Sequence, residues 1–260
     1  MKKALLVSAF FVGAICQEQV MAFCPAVPGA LRVEVHRVID GDTVRLKDGR
    51  NVRLIGINAP ELGRKGRAGE PFAEAARRRL QALVMESGGH VGVVAGRERY
   101  DRYGRTLAHL YGSDGMNLEA RLLAEGLAYQ VAIAPNGDLF ECQQLAERQA
   151  RQLRLGLWKR PSVLRADQIG KPGFVLLNGR VSTIRHNRGG LWIELRGSVV
   201  LHVAPGRLEQ FDARWISGLK GKQVEARGWV VERGGRSVVR QRGARWLLSL
   251  SHPGMLQAAR

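Results

Sequence analysis

The chain has 260 residues, 45% of them apolar and 25% charged, a balance that excludes a disordered polymer and leaves room for two modest globular units. Lysine and arginine number 41 against 23 aspartate and glutamate, and the resulting net charge of +18 points to polyanionic partners. Three cysteines are too few for a disulfide scaffold and lack the paired spacing of a zinc finger.

At the amino end, Lys2 and Lys3 precede an apolar run over residues 4–16 that is too short for a permanent membrane span. Small residues Val20 and Ala22 suit cleavage after Ala22, so a signal peptide over residues 1–22 and export to the periplasm or the medium are expected. The bulky Phe23 before Cys24 fits lipid attachment poorly, and the mature chain is expected to carry no membrane anchor and to be a monomer. Loss of the leader removes Cys16 and leaves Cys24 and Cys142 in an oxidising compartment. A disulfide between them is favoured over two unpaired thiols.

Strand-like runs follow at 33–39, 43–46 and 51–57, with Lys47-Asp48-Gly49-Arg50 as a hairpin turn. Residues 70–84 place Phe72, Ala76, Leu80, Leu83 and Val84 at helical spacing, and the run Arg77-Arg78-Arg79 is read as a solvated face. Two more strands are expected at 91–94 and 106–111. Asn117 caps a short helix that stops at Gly126, and Asp138 with Glu141 is read as the start of another that stops at Gly156. His36 and His109 have no partner at metal-ligand spacing and are read as surface or packing residues.

Lys159-Arg160-Pro161-Ser162 and Gly170-Lys171-Pro172-Gly173 are linker-like, which places a boundary near residue 165. Residues 23–170 hold 23 basic and 17 acidic residues, whereas 171–260 hold 16 and 5, so the shorter segment carries most of the excess charge. Strands are expected there at 174–184, 191–195, 199–203, 223–231, 237–240 and 246–250, with a helix at 208–216. A five-stranded barrel with a helix between its third and fourth strands, as in the OB-fold, gives this order, and other small β-barrels fit it nearly as well. Trp192, Trp215, Trp229 and Trp246 are expected mostly in the core, the alternative being aromatic platforms for single-stranded nucleic acid.

Chemistry concentrates in the first segment. Asp40-Gly41-Asp42-Thr43 puts two carboxylates either side of a glycine in a tight turn, where Gly permits positive φ and the carboxylates offer hard oxygen ligands. Arg53 lies on a strand that ends in Asn58-Ala59-Pro60-Glu61, and Asp101-Arg102-Tyr103-Gly104-Arg105 supplies a second guanidinium. Guanidinium forks match phosphate oxygens, so two arginines, a carboxylate base and acidic metal ligands are the components of phosphodiester hydrolysis. Arg64 and Lys65, with Arg67, fall in a Gly-rich loop after Glu61 and are candidate contacts to substrate phosphates.

The ordered set Val38-Ile39-Asp40-Gly41-Asp42-Thr43-Val44, Val52-Arg53-Leu54-Ile55-Gly56-Ile57-Asn58-Ala59-Pro60-Glu61, Asp101-Arg102-Tyr103-Gly104-Arg105 and Gly156-Leu157-Trp158 resembles the staphylococcal nuclease (thermonuclease) family over about residues 31–160. The resemblance implies an α+β, mainly β fold: a five-stranded OB-type barrel with three helices over residues 23–164, here followed by a basic OB-like barrel over 165–260. It also implies a calcium-dependent endonuclease acting on DNA and RNA and leaving 3′-phosphate ends. Under it Asp42 and Asp40 are acidic calcium ligands, Asn58 and the Ala59 carbonyl complete the protein's share, and Glu61 activates the water. Arg53 and Arg105 clamp the scissile phosphate, and Asp101 and Tyr103 support or contact the substrate. Asn58 replaces the aspartate of the best-known members, which removes a negative charge and weakens calcium affinity. A binding protein of the same fold with a weak or dead site, and an envelope protein that holds acidic polymers, are the alternatives.

Overall fold

The structure is a computed structural model that describes residues 24–26, 30–63, 66, 68–234 and 244–259. The leader, Arg64 and Lys65, Arg67, and the strand expected at 237–240 lie outside the described residues.

Strands β1 (Leu31–Asp40), β2 (Thr43–Leu46), β3 (Asn51–Leu54), β5 (His90–Tyr100) and β6 (Thr106–Tyr111) close into a barrel in the order β1-β2-β3-β6-β5. Only β3 and β6 run parallel, with Val52 opposite Thr106 and Arg53 opposite Leu107. Inward Val44, Leu46, Val52, Leu54, Ala108 and Leu110 alternate with outward polar residues, and this period of two fixes which side chains fill the barrel. The third expected strand is interrupted: Gly56 turns the chain at φ 85°, and Ile57–Asn58 leaves the barrel as β4 to pair with β7 (Tyr129–Gln130). Gly56 is required twice over, because a Cβ there also collides with the Gln143 amide.

Helix α1 (Ala73–Glu86) closes one barrel end with Ala76, Leu80, Leu83 and Val84. It starts at Ala73, three residues later than the expected span, after Phe72, whose backbone sits in the left-handed region at φ 68°. Asn117 caps α2 (Leu118–Ala124) by accepting from the Ala120 N–H at 2.9 Å. Helix α3 spans Phe140–Gln152 and has no side-chain N-cap; Asp138 pairs instead with Arg97, at 2.6 Å, so the expected capping box does not form. Cys24 and Cys142 are joined by a disulfide with their Cα atoms 5.4 Å apart, tying the start of the described chain to α3. The 77–79 arginines are paired with Glu74, Glu86 and Glu125. His109 is buried against Glu119, 3.3 Å away.

Past a short 3-10 turn at Gly156–Lys159, β8 (Val163–Arg165), β9 (Gly173–Asn187), β10 (Gly190–Leu195), β11 (Val199–Val203), β12 (Gln223–Glu232), β13 (Trp246–Ser249) and β14 (Leu256–Ala258) form one sheet. Its additional β12–β9 pairing closes a second ring, β9-β10-β11-β13-β12, in which only β11 and β13 run parallel. The helix expected at 208–216 is a 3-10 turn, Pro205–Gln210, followed by the short α4 (Ala213–Ser217), which Asp212 caps. The two barrels share one strand order, each with a helix between the third and fourth strands of its ring. The tryptophans depart from expectation: Trp246 is buried, Trp192 is half-buried, and Trp215 and Trp229 are each 38% exposed. Trp215 and Trp229 lie on the second barrel's outer surface because the ring is filled by aliphatic residues such as Leu177, Ile193, Val199 and Leu201.

The second core also takes in Ala132 and Phe140 of the first unit, so apolar packing is continuous across the junction. Beside it Arg227 on β12, buried, donates to both carboxylate oxygens of Glu147 on α3, at 2.8 and 2.7 Å. Arg151 and Arg227 both reach Glu225, at 2.8 and 3.2 Å. Among the described residues no helix is long and apolar enough to cross a membrane.

Candidate active site

The turn between β1 and β2 carries the acidic pair. Asp40 Oδ1 accepts from the Asp42 N–H at 3.1 Å, which rigidifies the turn. Gly41 is needed for space rather than for a left-handed φ: a Cβ would lie 2.6 Å from the Ala76 and 2.7 Å from the Ala59 methyl carbon. The turn is therefore pressed between α1 and the end of β4.

Antiparallel pairing sets Thr43 opposite Arg53, so β3 delivers the guanidinium beside Asp42. Arg53 Nη2 lies 3.0 Å from Asp42 Oδ2, and the same oxygen accepts from the Ala59 N–H at 2.8 Å. Thr43 Oγ1 donates to Asp42 Oδ1 at 3.1 Å. Arg53 also donates to the Leu54 carbonyl at 2.7 Å and to Asn58 Oδ1 at 3.4 Å. Side-chain exposures of 13% for Arg53 and 9% for Asp42 make this a nearly dry ion pair. Burial pushes the Asp42 carboxyl up to about 6; Arg53 and the Ala59 N–H pull against the rise, and Asp40 adds to it.

Glu61 follows Asn58 by three residues and is exposed. Its backbone N–H donates to the Glu70 carboxylate at 2.9 Å, and its carbonyl accepts from the Glu70 N–H at 2.9 Å, which pins the loop while leaving the Glu61 side chain facing solvent. Arg105 arrives on the neighbouring strand. Because Arg53 is level with Leu107, two residues after Arg105, alternation puts both guanidinium groups on the same face of the β3–β6 pair. Asp101 holds Arg105 there, accepting from its Nε at 2.7 Å and its backbone N–H at 2.9 Å, and from the Tyr103 N–H at 2.9 Å. Burial would raise the Asp101 carboxyl, but these donors hold it below the usual value. Tyr103 is exposed, with Arg102 and Arg105 4.8 and 5.7 Å from its ring centre.

Asp42, Arg53, Asn58 and Ala59 are thus linked by direct contacts, Asp40 braces the turn, Glu61 lies three residues past Asn58 on the following loop, and Arg105 is presented just before β6 on the face of the β3–β6 pair that carries Arg53. Among the described residues no three His, Cys, Asp or Glu side chains cluster as a metal cage. The donors at hand are two carboxylates, one amide oxygen and a main-chain carbonyl, all hard oxygens suited to calcium, whose remaining positions water fills. A cation would offset the Asp40–Asp42 repulsion that adds to the rise at Asp42, so the set fits that ion with modest affinity.

Three participants escaped the sequence reading, and a fourth, Trp229, entered it as a core residue with an aromatic platform as the alternative. Thr43 orients Asp42, Glu70 pins the Glu61 loop, and Phe174 and Trp229 belong to the far wall of the cleft that Asn58 and Glu61 line. The hydroxyl was legible as a neighbour of Asp42; the wall, contributed by the second barrel, had no local signal.

A family model described as "Staphylococcal nuclease homologue" matches residues 51–160, a span that includes Arg53, Asn58, Glu61 and Arg105. The chain is 35% identical to the "Thermonuclease" of Staphylococcus intermedius over 129 residues, which are 48% of this chain and 75% of that protein. It is 34% identical to the "Micrococcal nuclease" of Shigella flexneri over 50% of this chain and 75% of the relative. It is 32% identical to "Endonuclease YncB" of Bacillus subtilis over 50% of this chain and 63% of the relative.

Proposed function

The chain belongs to the staphylococcal nuclease homologue family, and on that premise we propose that it is an exported, calcium-dependent endonuclease that hydrolyses DNA and RNA with little sequence preference. The observation that carries the proposal is the dry junction of Asp42, Arg53, Asn58 and Ala59 at a strand end that opens, through Glu61, onto a cleft.

Asp42 and Asp40, the Asn58 amide oxygen and the Ala59 carbonyl would hold the calcium ion. Bound there, it would polarise the scissile phosphate and draw off developing negative charge. Arg53 and Arg105 would bind non-bridging phosphate oxygens, and their fixed charges strengthen as the five-coordinate transition state gains charge. Glu61, exposed on its loop, would take the proton of the attacking water. The water oxygen would bond to phosphorus as the bond to the 5′ oxygen breaks, and the leaving 5′ oxygen would take a proton from solvent, so that a 3′-phosphate and a 5′-hydroxyl remain. Asp101 serves to aim Arg105. The basic second unit retains the polyanion by charge. Export is supported by the leader-like residues 1–22 and by the Cys24–Cys142 bond, which suits an oxidising compartment.

The test is degradation of plasmid DNA and of RNA with Ca²⁺ and with chelator, alongside Glu61→Gln. Calcium-dependent cutting that Glu61→Gln abolishes is the expected result; calcium-independent cutting, or none, overturns it. Asn58 favours one second reading, a polynucleotide-binding protein with a weak site, which retention of DNA without cutting would select.

A further inference from the structure

The cleft that begins at Asn58 and Glu61 does not end within the nuclease unit. It occupies about 490 Å³, within the range of small-ligand sites, and its opposite wall is built by β9 and β12 of the second barrel. There Phe174 and Trp229 face each other across the strand pair, ring centres 5.2 Å apart. Phe174 in turn meets Tyr129, at 5.5 Å, and Tyr129 meets Trp158, at 5.5 Å. An aromatic run therefore crosses the junction and surfaces at Trp229, which stays 38% exposed although apolar packing is available beside it. On the nuclease side Phe72, also 38% exposed, lines the same cleft from a left-handed backbone at φ 68°. A bulky residue in that conformation is held against its own preference, a kind of strain that concentrates at ligand sites.

The charges select the occupant. Glu61 and Glu70, against Arg160 alone, line the cleft, a net negative lining that disfavours a phosphate inside it, while the net charge of +18 on the chain favours a polyanion passing outside. An uncharged, flat, π-faced group carried on a polyanion satisfies both conditions. We propose that this inter-barrel cleft is a nucleobase subsite, in which Trp229 and Phe174 of the second barrel stack on an unpaired base next to the scissile phosphate. The second barrel thereby acts as half of the substrate site as well as a basic tether. The inference rests on the nuclease reading of the neighbouring residues.

The test uses the full chain. Trp229→Ala is expected to raise KM for a single-stranded oligothymidylate by about 5- to 150-fold with kcat little changed, the signature of lost base stacking, and Trp229→Phe to restore most of it. Trp215→Ala, equally exposed but outside the cleft, is the control and leaves KM alone. In parallel, fluorescence anisotropy of a labelled oligothymidylate is followed in chelator on the Glu61→Gln background. Weaker binding by Trp229→Ala and unchanged binding by Trp215→Ala support the subsite whether or not the wild type cuts, so absent cleavage sinks only the nuclease reading. Equal affinities for the parent and Trp229→Ala, no binding by the parent, or equal losses in both tryptophan variants overturn the subsite.

Discussion

Arg227→Met removes the buried cation that joins the two barrels. Its side chain is 7% exposed and that of Glu147 3%, so the carboxylate left behind has almost no water to turn to. Glu147 keeps the Gln130 N–H at 2.8 Å and a distant Arg151 Nε at 3.4 Å, and loses two charge-assisted bonds. Breaking one side of a buried pair costs about 3–5 kcal/mol, most of it the uncompensated charge. The same reasoning requires that Arg227→Met with Glu147→Gln recover most of the loss, because glutamine still accepts from Gln130 without carrying charge. Urea denaturation of the wild type, the single and the double variant, read as unfolding free energies, decides the matter. A double variant as unstable as the single one refutes the charge-burial account and leaves side-chain packing as the cause.

Other outcomes follow from the site and its frame. Glu61→Gln is expected to lower kcat for plasmid cleavage by about 10²–10⁴-fold, and Arg53→Lys, which keeps charge but not the fork, by about 10²–10³-fold, both with folding intact by circular dichroism. Gly41→Ala drives a methyl group into Ala59 and Ala76; a stability loss of about 1–3 kcal/mol and a larger proportional loss of cleavage are expected in melting and turnover assays. Burial would raise the Glu225 carboxyl, but Arg151 and Arg227 hold it below 4.5, so its contribution is present above pH 4.5 and is lost as pH falls through the lower folded value. Melting temperatures between neutral pH and pH 3 should therefore fall less for Glu225→Gln than for the wild type. Reducing Cys24–Cys142, which closes a sequence separation of 118 residues, should cost about 2–5 kcal/mol by denaturant titration with and without a thiol reductant.

What sequence reading captured in this chain is local. The Asp40-Gly41-Asp42 turn, the Asn117 cap and the Asp101 turn that presents Arg105 each sit within a few residues of the partners that shape them. The alternation of the second half carried enough pattern to give a five-stranded ring with its helix in the right interval. What escaped depends on distant partners. Asp138 has the spacing of a cap, yet Arg97, 41 residues upstream, takes its carboxylate. Arg227 is one more basic residue in a basic segment until Glu147, 80 residues away, buries it. Trp229 reads as core because tryptophan is large and apolar; only the approach of the nuclease unit turns its exposed face into a wall.

The common ring order has a further consequence at the first hairpin of each barrel. In one, β1 hands over to β2 through Gly41 and Asp42; in the other, β9 hands over to β10 through Arg188 and Gly189, a turn of the same length. Laid on each other, the corners set Asn187 against Asp40, Arg188 against Gly41 and Gly189 against Asp42. The later corner has exchanged both acids for an amide and a bare backbone, and has gained a cation. One strand path thus occurs twice in a single polypeptide, once with two acids at its first corner and once with none, so what tells the two corners apart is a handful of side chains at one bend and not the path of the chain.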